Sequence, residues 1–188
     1  MKIKMIDLLE ESPVIAAVKD DEGIERSFKS ECKIIFILYG TVCNIAEIVD
    51  RIKEHDKIAI VHADLISGLN SREIVADFIK ENTRADGLIS TKLGLVKRAI
   101  SLGMIGGLRT FMIDSMALSM TMKQMETFQP DFLEILPGLM PKILREVKEG
   151  IQIPLIASGL LSDKKDMISA FSAGADAIST TREDLWFM

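Results

Sequence analysis

The sequence predicts one α/β domain over residues 1–188, a small (β/α)8 barrel of TIM type whose eighth helix is truncated or missing. Eight apolar runs alternate with helix-like segments, and most of the runs are continuous, as in strands buried on both faces. Parallel strands need crossover helices, and a closed ring leaves no sheet edge. An open doubly wound sheet is the alternative, because the chain is short for a fold that usually takes about 250 residues.

The predicted strands and helices follow in order along the chain. The strands lie at 14–18, 33–40, 57–64, 85–91, 108–115, 132–138, 153–159 and 175–181. The helices lie at 23–30, 44–56, 71–82, 93–103, 116–128, 141–150 and 162–174, with Ser71 and Ser162 as predicted N-caps. Only residues 182–188 follow the last strand. We therefore expect the eighth helix to be reduced to a turn, and a gap in the barrel wall.

Composition limits the classes of function. The chain is 48% hydrophobic and 27% charged, with a formal net charge of -5, so any contact with nucleic acid has to come from a local basic patch. It has no signal-peptide pattern, and no apolar segment approaches the roughly 20 residues of a membrane span. We expect a cytoplasmic protein with no membrane contact.

Small polar residues end the last two predicted strands. Ser158 and Gly159 follow the seventh strand, and Ser179 and Thr180 end the eighth. Neighbouring strand ends of this kind offer hydroxyls and unhindered backbone N–H groups on one rim, and barrels often bind phosphate after strands seven and eight. We predict a phosphate site formed by these four residues.

Further polar residues lie at predicted strand ends: His62, Asp64, Lys92, Asp114 and Glu134. An ammonium at Lys92 suits a phosphate contact or, if desolvated, a Schiff base. His62 suits a hydrogen-bonding group over the barrel mouth, or a core histidine. The three carboxylates suit substrate hydroxyls, which we favour, or a divalent cation. No ligand spacing demands a metal, and we assign no cofactor and no catalytic residue.

An internal likeness links the two halves of the chain. Residues 67–71 resemble 158–162, and the Ala-Asp pairs at 85–86 and 175–176 both open runs that end in Ser-Thr. Chance among small residues explains this, or duplication of a four-strand unit. Duplication predicts a second anion site at the ends of the third and fourth strands.

Self-association is a further expectation. Methionines cluster after the fifth strand, at Met116, Met120, Met122 and Met125. They favour core packing of that helix, although methionine-rich faces also form adaptable interfaces. A homo-oligomer would cover the gap left by a missing eighth helix.

In order and spacing, several of these segments resemble the glycerol uptake operon antiterminator regulatory proteins. The resemblance covers nearly the whole chain. It rests on VHADLI with the SGL after it, DGLISTK, LRTFMIDS, PDFLEILPG, IPLIASGL and GADAISTT with Leu185-Trp186. Two departures stand out: Ser158-Gly159 replaces a Gly-Gly pair, and Leu108-Arg109 replaces Gln-Arg.

The resemblance implies a non-catalytic regulator that senses glycerol 3-phosphate and then binds a leader mRNA of a glycerol-utilisation operon. It implies that Ser158, Gly159, Ser179 and Thr180 hold the phosphate and that Lys92 neutralises it. The glycerol hydroxyls are then left to His62, Asp64, Asp114 and Glu134. The alternative function is a small phosphate-substrate enzyme, an isomerase or lyase that uses Lys92 with Asp64 or Glu134.

Overall fold

Residues 5–188 of the computed structural model form a closed barrel of eight parallel strands in chain order. The strands are β1 (Val14–Val18), β2 (Ile34–Ile37), β3 (Ile58–His62), β4 (Gly87–Ser90), β5 (Ile105–Phe111), β6 (Phe132–Leu136), β7 (Leu155–Ser158) and β8 (Ala177–Thr180). Strand β8 pairs with β1. The predicted barrel is confirmed, and the open sheet is wrong.

Helices cover the outside of this barrel and one of its ends. They are α1 (Met5–Glu11), α2 (Asp21–Phe28), α3 (Ile45–Lys53), α4 (Ile74–Asn82), α5 (Leu93–Ser101), α6 (Ser115–Thr127), α7 (Pro141–Gly150) and α8 (Lys164–Ser172), with 3-10 helices at Ala63–Leu65 and Glu183–Phe187. The predicted N-caps are wrong: Glu73 precedes α4, and Asp163 caps α8 in a capping box with Asp166. No helix within residues 5–188 is long and apolar enough to cross a membrane.

Strand β5 begins three residues earlier than the sequence predicts, at Ile105 instead of Leu108. The sequence hid this start because Gly106 and Gly107 usually weaken a strand. Here Gly107 makes room inside the barrel: a Cβ on it would lie 2.0 Å from Cζ of Phe132. The Phe132 ring stacks on Phe36 at 5.7 Å between centroids. The shift also moves Arg109 from the predicted start of the strand into its middle.

The barrel interior is apolar at the end where the strands begin. Ile15, Ile60 and Ile105 pack there with the two phenylalanine rings. Helix α1 adds Met5 and Leu9 to the same cluster, both at most 3% exposed. This helix therefore closes the lower end of the barrel, and the opposite end is left for polar groups.

The helix expected after β8 is truncated, as predicted, to the 3-10 helix Glu183–Phe187. The predicted gap in the wall is wrong, because this short helix packs on β1 and β8. It buries Leu185 and Trp186, and the Trp186 indole N–H donates to the Thr180 carbonyl at 2.8 Å. Trp186 therefore helps to cover β1 and β8, as a longer helix would, and its hydrogen bond holds the end of β8 in place.

Helix α6 carries the methionine cluster, and core packing is wrong for part of it. Met125 is buried, whereas Met116 and Met120 are 68% and 58% exposed. Ile113, just before the helix, is also exposed. Self-association stays a prediction.

We expect Gly107→Ala to destabilise the protein by about 1 to 3 kcal/mol, because the added methyl overlaps the Phe132 ring. Phe132→Leu, which removes ring atoms, should cost stability alone but relieve part of the Gly107→Ala penalty in the double variant. Urea unfolding of the four proteins measures this coupling. Strictly additive losses would show that the ring does not set the need for glycine.

Candidate functional site

A cavity of about 440 Å³ opens at the C-terminal ends of β7 and β8. It is lined by Ala17, Leu38, Arg109, Leu136, Ser158, Gly159, Leu160, Leu161, Ser162, Ser179, Thr180, Thr181 and Arg182. The lining combines hydroxyls, two arginines and several leucines. Such a cavity suits a small ligand with an anionic end and a carbon chain.

The Arg109 and Glu134 side chains form an ion pair beside this cavity, inside the barrel. Arg109 Nε donates to Glu134 Oε2 at 2.5 Å, and the two residues are 8% and 0% exposed. They face each other because Arg109 pairs with Glu134 across β5 and β6. Burial of either charge alone is costly, so each residue depends on the other.

His62 lies two residues after Ile60 on β3 and therefore on the same face of the strand, which points into the barrel. Burial, and after it the positive charge of Arg109, lower the pKa of His62 to about 4. The imidazole is therefore neutral at pH 7.

Several buried polar atoms here lack a hydrogen-bond partner within residues 5–188. They are both ring nitrogens of His62, Oε1 of Glu134 and Oγ of Ser179. Each of the three residues is at most 2% exposed. Buried polar groups are normally satisfied by protein, water or ligand. Of these three residues, Ser179 lines the cavity, and His62 and Glu134 do not.

The end of β8 is held by a local turn. Thr180 Oγ1 accepts a hydrogen bond from the Arg182 N–H at 3.0 Å. The Arg182 side chain is 57% exposed and lies near Asp184, with Nε to Oδ1 at 3.3 Å. Glu183 is paired with Arg26 on α2. The two acidic residues after β8 therefore have cationic partners and do not line the cavity.

The ends of β3 and β4 repeat this turn with one addition. The Lys92 N–H donates to Ser90 Oγ at 3.0 Å, while the Asp64 carboxylate accepts from Ser90 Oγ at 2.6 Å and from the Thr91 N–H at 2.7 Å. Burial raises the pKa of Asp64, but these hydrogen bonds outweigh it and hold that pKa below its usual value. Asp64 is thus a carboxylate whose oxygens are already bonded.

The structure gathers part of the predicted site. Ser158, Gly159, Ser179 and Thr180 line one cavity, as the order of the strands implied. His62 and Glu134 face the barrel interior. Lys92, Asp64 and Asp114 do not line the cavity.

Asp114 has a structural role. Its carboxylate accepts from the Ala117 N–H at 2.7 Å and caps α6. Lys92 is exposed at the start of α5. Within the described part of the chain no three His, Cys, Asp or Glu side chains come together as metal ligands.

Sequence reasoning left Arg109 and Arg182 out of the site. Arg109 was hidden by the misplaced start of β5, since correct alternation from Ile105 makes it an inward-facing residue. Arg182 stands in the sequence where Lys92 stands in the other half of the barrel. That parallel is a signal that would have found it.

A sequence model of one family, the glycerol-3-phosphate responsive antiterminators, matches residues 14–186. The chain belongs to this family. It is 44% identical to the uncharacterized protein YgcP of Escherichia coli K12 over 97% of this chain and 95% of that protein.

Two solved structures are similar over almost their whole length. The glycerol uptake operon antiterminator regulatory protein of Listeria monocytogenes has a TM-score of 0.89 at 28% identity, over 93% of this chain and 95% of that one. An antiterminator-related protein of Thermotoga maritima has a TM-score of 0.82 at 29% identity, over 93% and 98%. Within the antiterminator family, this chain therefore keeps the common barrel.

We expect Glu134→Leu to cost about 3 to 5 kcal/mol of stability, because it leaves the Arg109 charge buried and unpaired. Removing both charges in Arg109→Met with Glu134→Leu should cost less than Glu134→Leu alone. Denaturant unfolding of the single and double variants tests this. A double variant less stable than either single one would show that the pair is not the dominant interaction.

We expect acid to destabilise the protein through His62. Its pKa is about 4 in the folded state, below the ordinary value of about 6.5, so the unfolded state binds the proton more readily. The His62 contribution is fully present above about pH 6.5 and is lost as the pH falls towards 4, a loss of about 3 kcal/mol.

The free energy of unfolding of His62→Gln, measured between pH 4 and 7.5, should therefore fall less steeply than that of the wild type. His55→Gln, at the other histidine, is the control and should keep the wild-type slope. Equal slopes for all three proteins would contradict the assignment.

Proposed function

We propose that this chain senses glycerol 3-phosphate, or a closely similar phosphate ester, and in the bound state contacts a leader mRNA to allow transcription past a terminator. The observation that carries the proposal is the cavity at the ends of β7 and β8. The family description supports the choice of ligand. The protein acts in this scheme by binding and catalyses no reaction.

The phosphate end of the ligand lies at the strand ends. Ser158, Gly159 and Thr180 offer hydroxyl and backbone groups there. Gly159 has a positive φ of 76°, which favours glycine, and its lack of a side chain leaves the backbone unhindered. Arg182 supplies positive charge at the same rim. In the proposed site it takes the neutralising role that the sequence suggested for Lys92.

In this proposal the polyol end points towards the buried polar layer, of which Ser179 lines the cavity while His62 and Glu134 lie behind it. Glu134 has one carboxylate oxygen bonded to Arg109 and the other without a partner within residues 5–188. A ligand hydroxyl donating to that second oxygen would satisfy it, and Ser179 and the neutral His62 offer further hydrogen bonds. Because unsatisfied buried groups cost free energy, the ligand hydroxyls contribute to affinity and to selection against other phosphate esters.

Regulation requires that the ligand bind one conformational state more tightly than the other. A ligand with equal affinity for both states shifts nothing. We propose that filling the cavity stabilises the state that contacts RNA, and that the protein acts in the cytoplasm. The overall charge of -5 means that this contact uses a local surface.

The alternative of a phosphate-substrate enzyme depends on Lys92 as a nucleophile. Lys92 is exposed at the start of α5 and does not line the cavity. The geometry therefore favours the sensor. Borohydride reduction in the presence of a triose phosphate is the contrary test, since covalent labelling of Lys92 would favour the enzyme.

We expect glycerol 3-phosphate to stabilise the protein by about 2.7 kcal/mol at a hundredfold excess over Kd, whereas glycerol should not. Arg182→Gln should weaken binding about tenfold, because a charge-assisted contact to the phosphate is lost. The matched control is Lys92→Gln, which makes the same change in the other half of the barrel and should leave Kd unchanged. Thermal unfolding against ligand concentration gives these values.

Two results would contradict the proposed site. Loss of binding in Lys92→Gln with normal binding in Arg182→Gln would move the phosphate to β4. Absence of any stabilisation by glycerol 3-phosphate would show that this ester is not the ligand. Retention of the leader RNA of a glycerol-utilisation operon on a filter, with and without glycerol 3-phosphate, then tests the RNA step separately.

A further inference from the structure

The strand pairs β3–β4 and β7–β8 match each other in the contacts made just before β4 and β8 begin. Asp86 accepts from Lys53 Nζ at 2.7 Å and from the Ala59 N–H at 2.8 Å. Asp176 accepts from Lys148 Nζ at 2.6 Å and from the Leu155 N–H at 2.7 Å. The two aspartates each precede an even-numbered strand and tie it to the strand before. The two halves of the barrel can therefore be compared residue by residue.

Counting from these aspartates, Ser90 corresponds to Thr180, Thr91 to Thr181 and Lys92 to Arg182. The correspondence holds in atoms as well as in sequence. Ser90 Oγ accepts from the Lys92 N–H, and Thr180 Oγ1 accepts from the Arg182 N–H, both at 3.0 Å. Each hydroxyl then has its own hydrogen left to donate.

The two halves differ in what receives that hydrogen. In the first half the receiver is the Asp64 carboxylate, which bonds to Ser90 Oγ and to the Thr91 N–H. Asp64 lies two residues beyond the end of β3, and Leu160 lies two residues beyond the end of β7. Leu160 has no side-chain oxygen to accept a hydrogen bond and is 73% exposed on the lining of the cavity.

We propose that the ends of β3 and β4 form a second anion-binding site, which the chain fills with its own Asp64 carboxylate. Ser90 Oγ and the Thr91 N–H are its donors, and their bond lengths of 2.6 and 2.7 Å are those of a charged acceptor. The site takes oxyanions such as inorganic phosphate once the carboxylate is removed. Asp64 is exposed, so these donors then face solvent.

The filled site bears on where the ligand binds, a step that rests on the proposed function. The same donors at β8, Thr180 Oγ1 and the Thr181 N–H, meet no such carboxylate within residues 5–188 and are left for the phosphate of the ligand. The β7–β8 end therefore keeps its donors for a phosphate, whereas the β3–β4 end has its donors occupied by Asp64.

The test counts bound orthophosphate in three Asp64 variants and the wild type, by equilibrium dialysis and by crystal structures grown in phosphate. The wild type should bind one ion, at β7–β8. Asp64→Ala should bind two, with the second on Ser90 Oγ and the Thr91 N–H. Asp64→Asn keeps an oxygen acceptor and should bind one, as should Asp64→Ala combined with Ser90→Ala.

One ion in both the wild type and Asp64→Ala would overturn the second site. No ion in the wild type but one in Asp64→Ala, at β3–β4, would support the second site while removing the phosphate site proposed at β7–β8. No ion in either protein would remove both. The two proposals therefore fail separately.

Unfolding without phosphate gives a second measurement if Asp64→Ala does not fold. Ser90→Ala loses a bond to a carboxylate and the acceptor for the Lys92 N–H, whereas Thr180→Val loses only the acceptor for the Arg182 N–H. Ser90→Ala should therefore lower the melting temperature more than Thr180→Val. Equal losses would show that the Asp64 carboxylate does not act as a bound anion.

Discussion

The ion pair between Arg109 and Glu134 separates two regions of the barrel interior with opposite chemistry. Below it, Phe36 and Phe132 stack and α1 closes the end, so that part is dry and apolar. Beside it lie a neutral His62 and the hydroxyl of Ser179. The pair is tolerated because each charge satisfies the other, and one carboxylate oxygen of Glu134 has no partner within residues 5–188. The position of Arg109 in the cavity lining depends on this pairing.

The fold was predictable from the alternation of buried strands and helices, and four residues of the candidate site were predictable from their place after strands seven and eight. Ser158, Gly159, Ser179 and Thr180 follow from strand order alone, because consecutive parallel strands in a barrel are neighbours. The start of β5 was not predictable, because the need for glycine appears only in the fold: Gly106 lies against Ile100 and Gly107 against the Phe132 ring. The register of a strand decides which of its side chains face inward. Without the correct register of β5, the sequence did not identify Arg109 as a residue of the site.

The carboxylates show a different limit of sequence reasoning. Asp64, Asp114 and Glu134 look equivalent in sequence, but one bonds the Ser90–Thr91 turn, one caps α6 and one pairs with Arg109. These partners come from distant positions or from exact helix starts, which periodicity does not fix. The likeness between the two halves was visible in the sequence. The match of Ser67 with Ser158 does not hold in the structure, because Ser158 ends β7 whereas Ser67 lies beyond the end of β3 and bridges to Thr41. Asp64, closer to the end of β3, makes the contact with the Ser90–Thr91 turn instead.

Trp186 connects the shortened end of the barrel to the cavity. Its indole N–H holds the carbonyl of Thr180, whose hydroxyl lines the cavity. It is the single tryptophan of the chain, so its ultraviolet emission arises from one environment, one residue contact away from the proposed phosphate. The fluorescence of Trp186 is therefore sensitive to changes at Thr180 and, through it, to changes in the cavity.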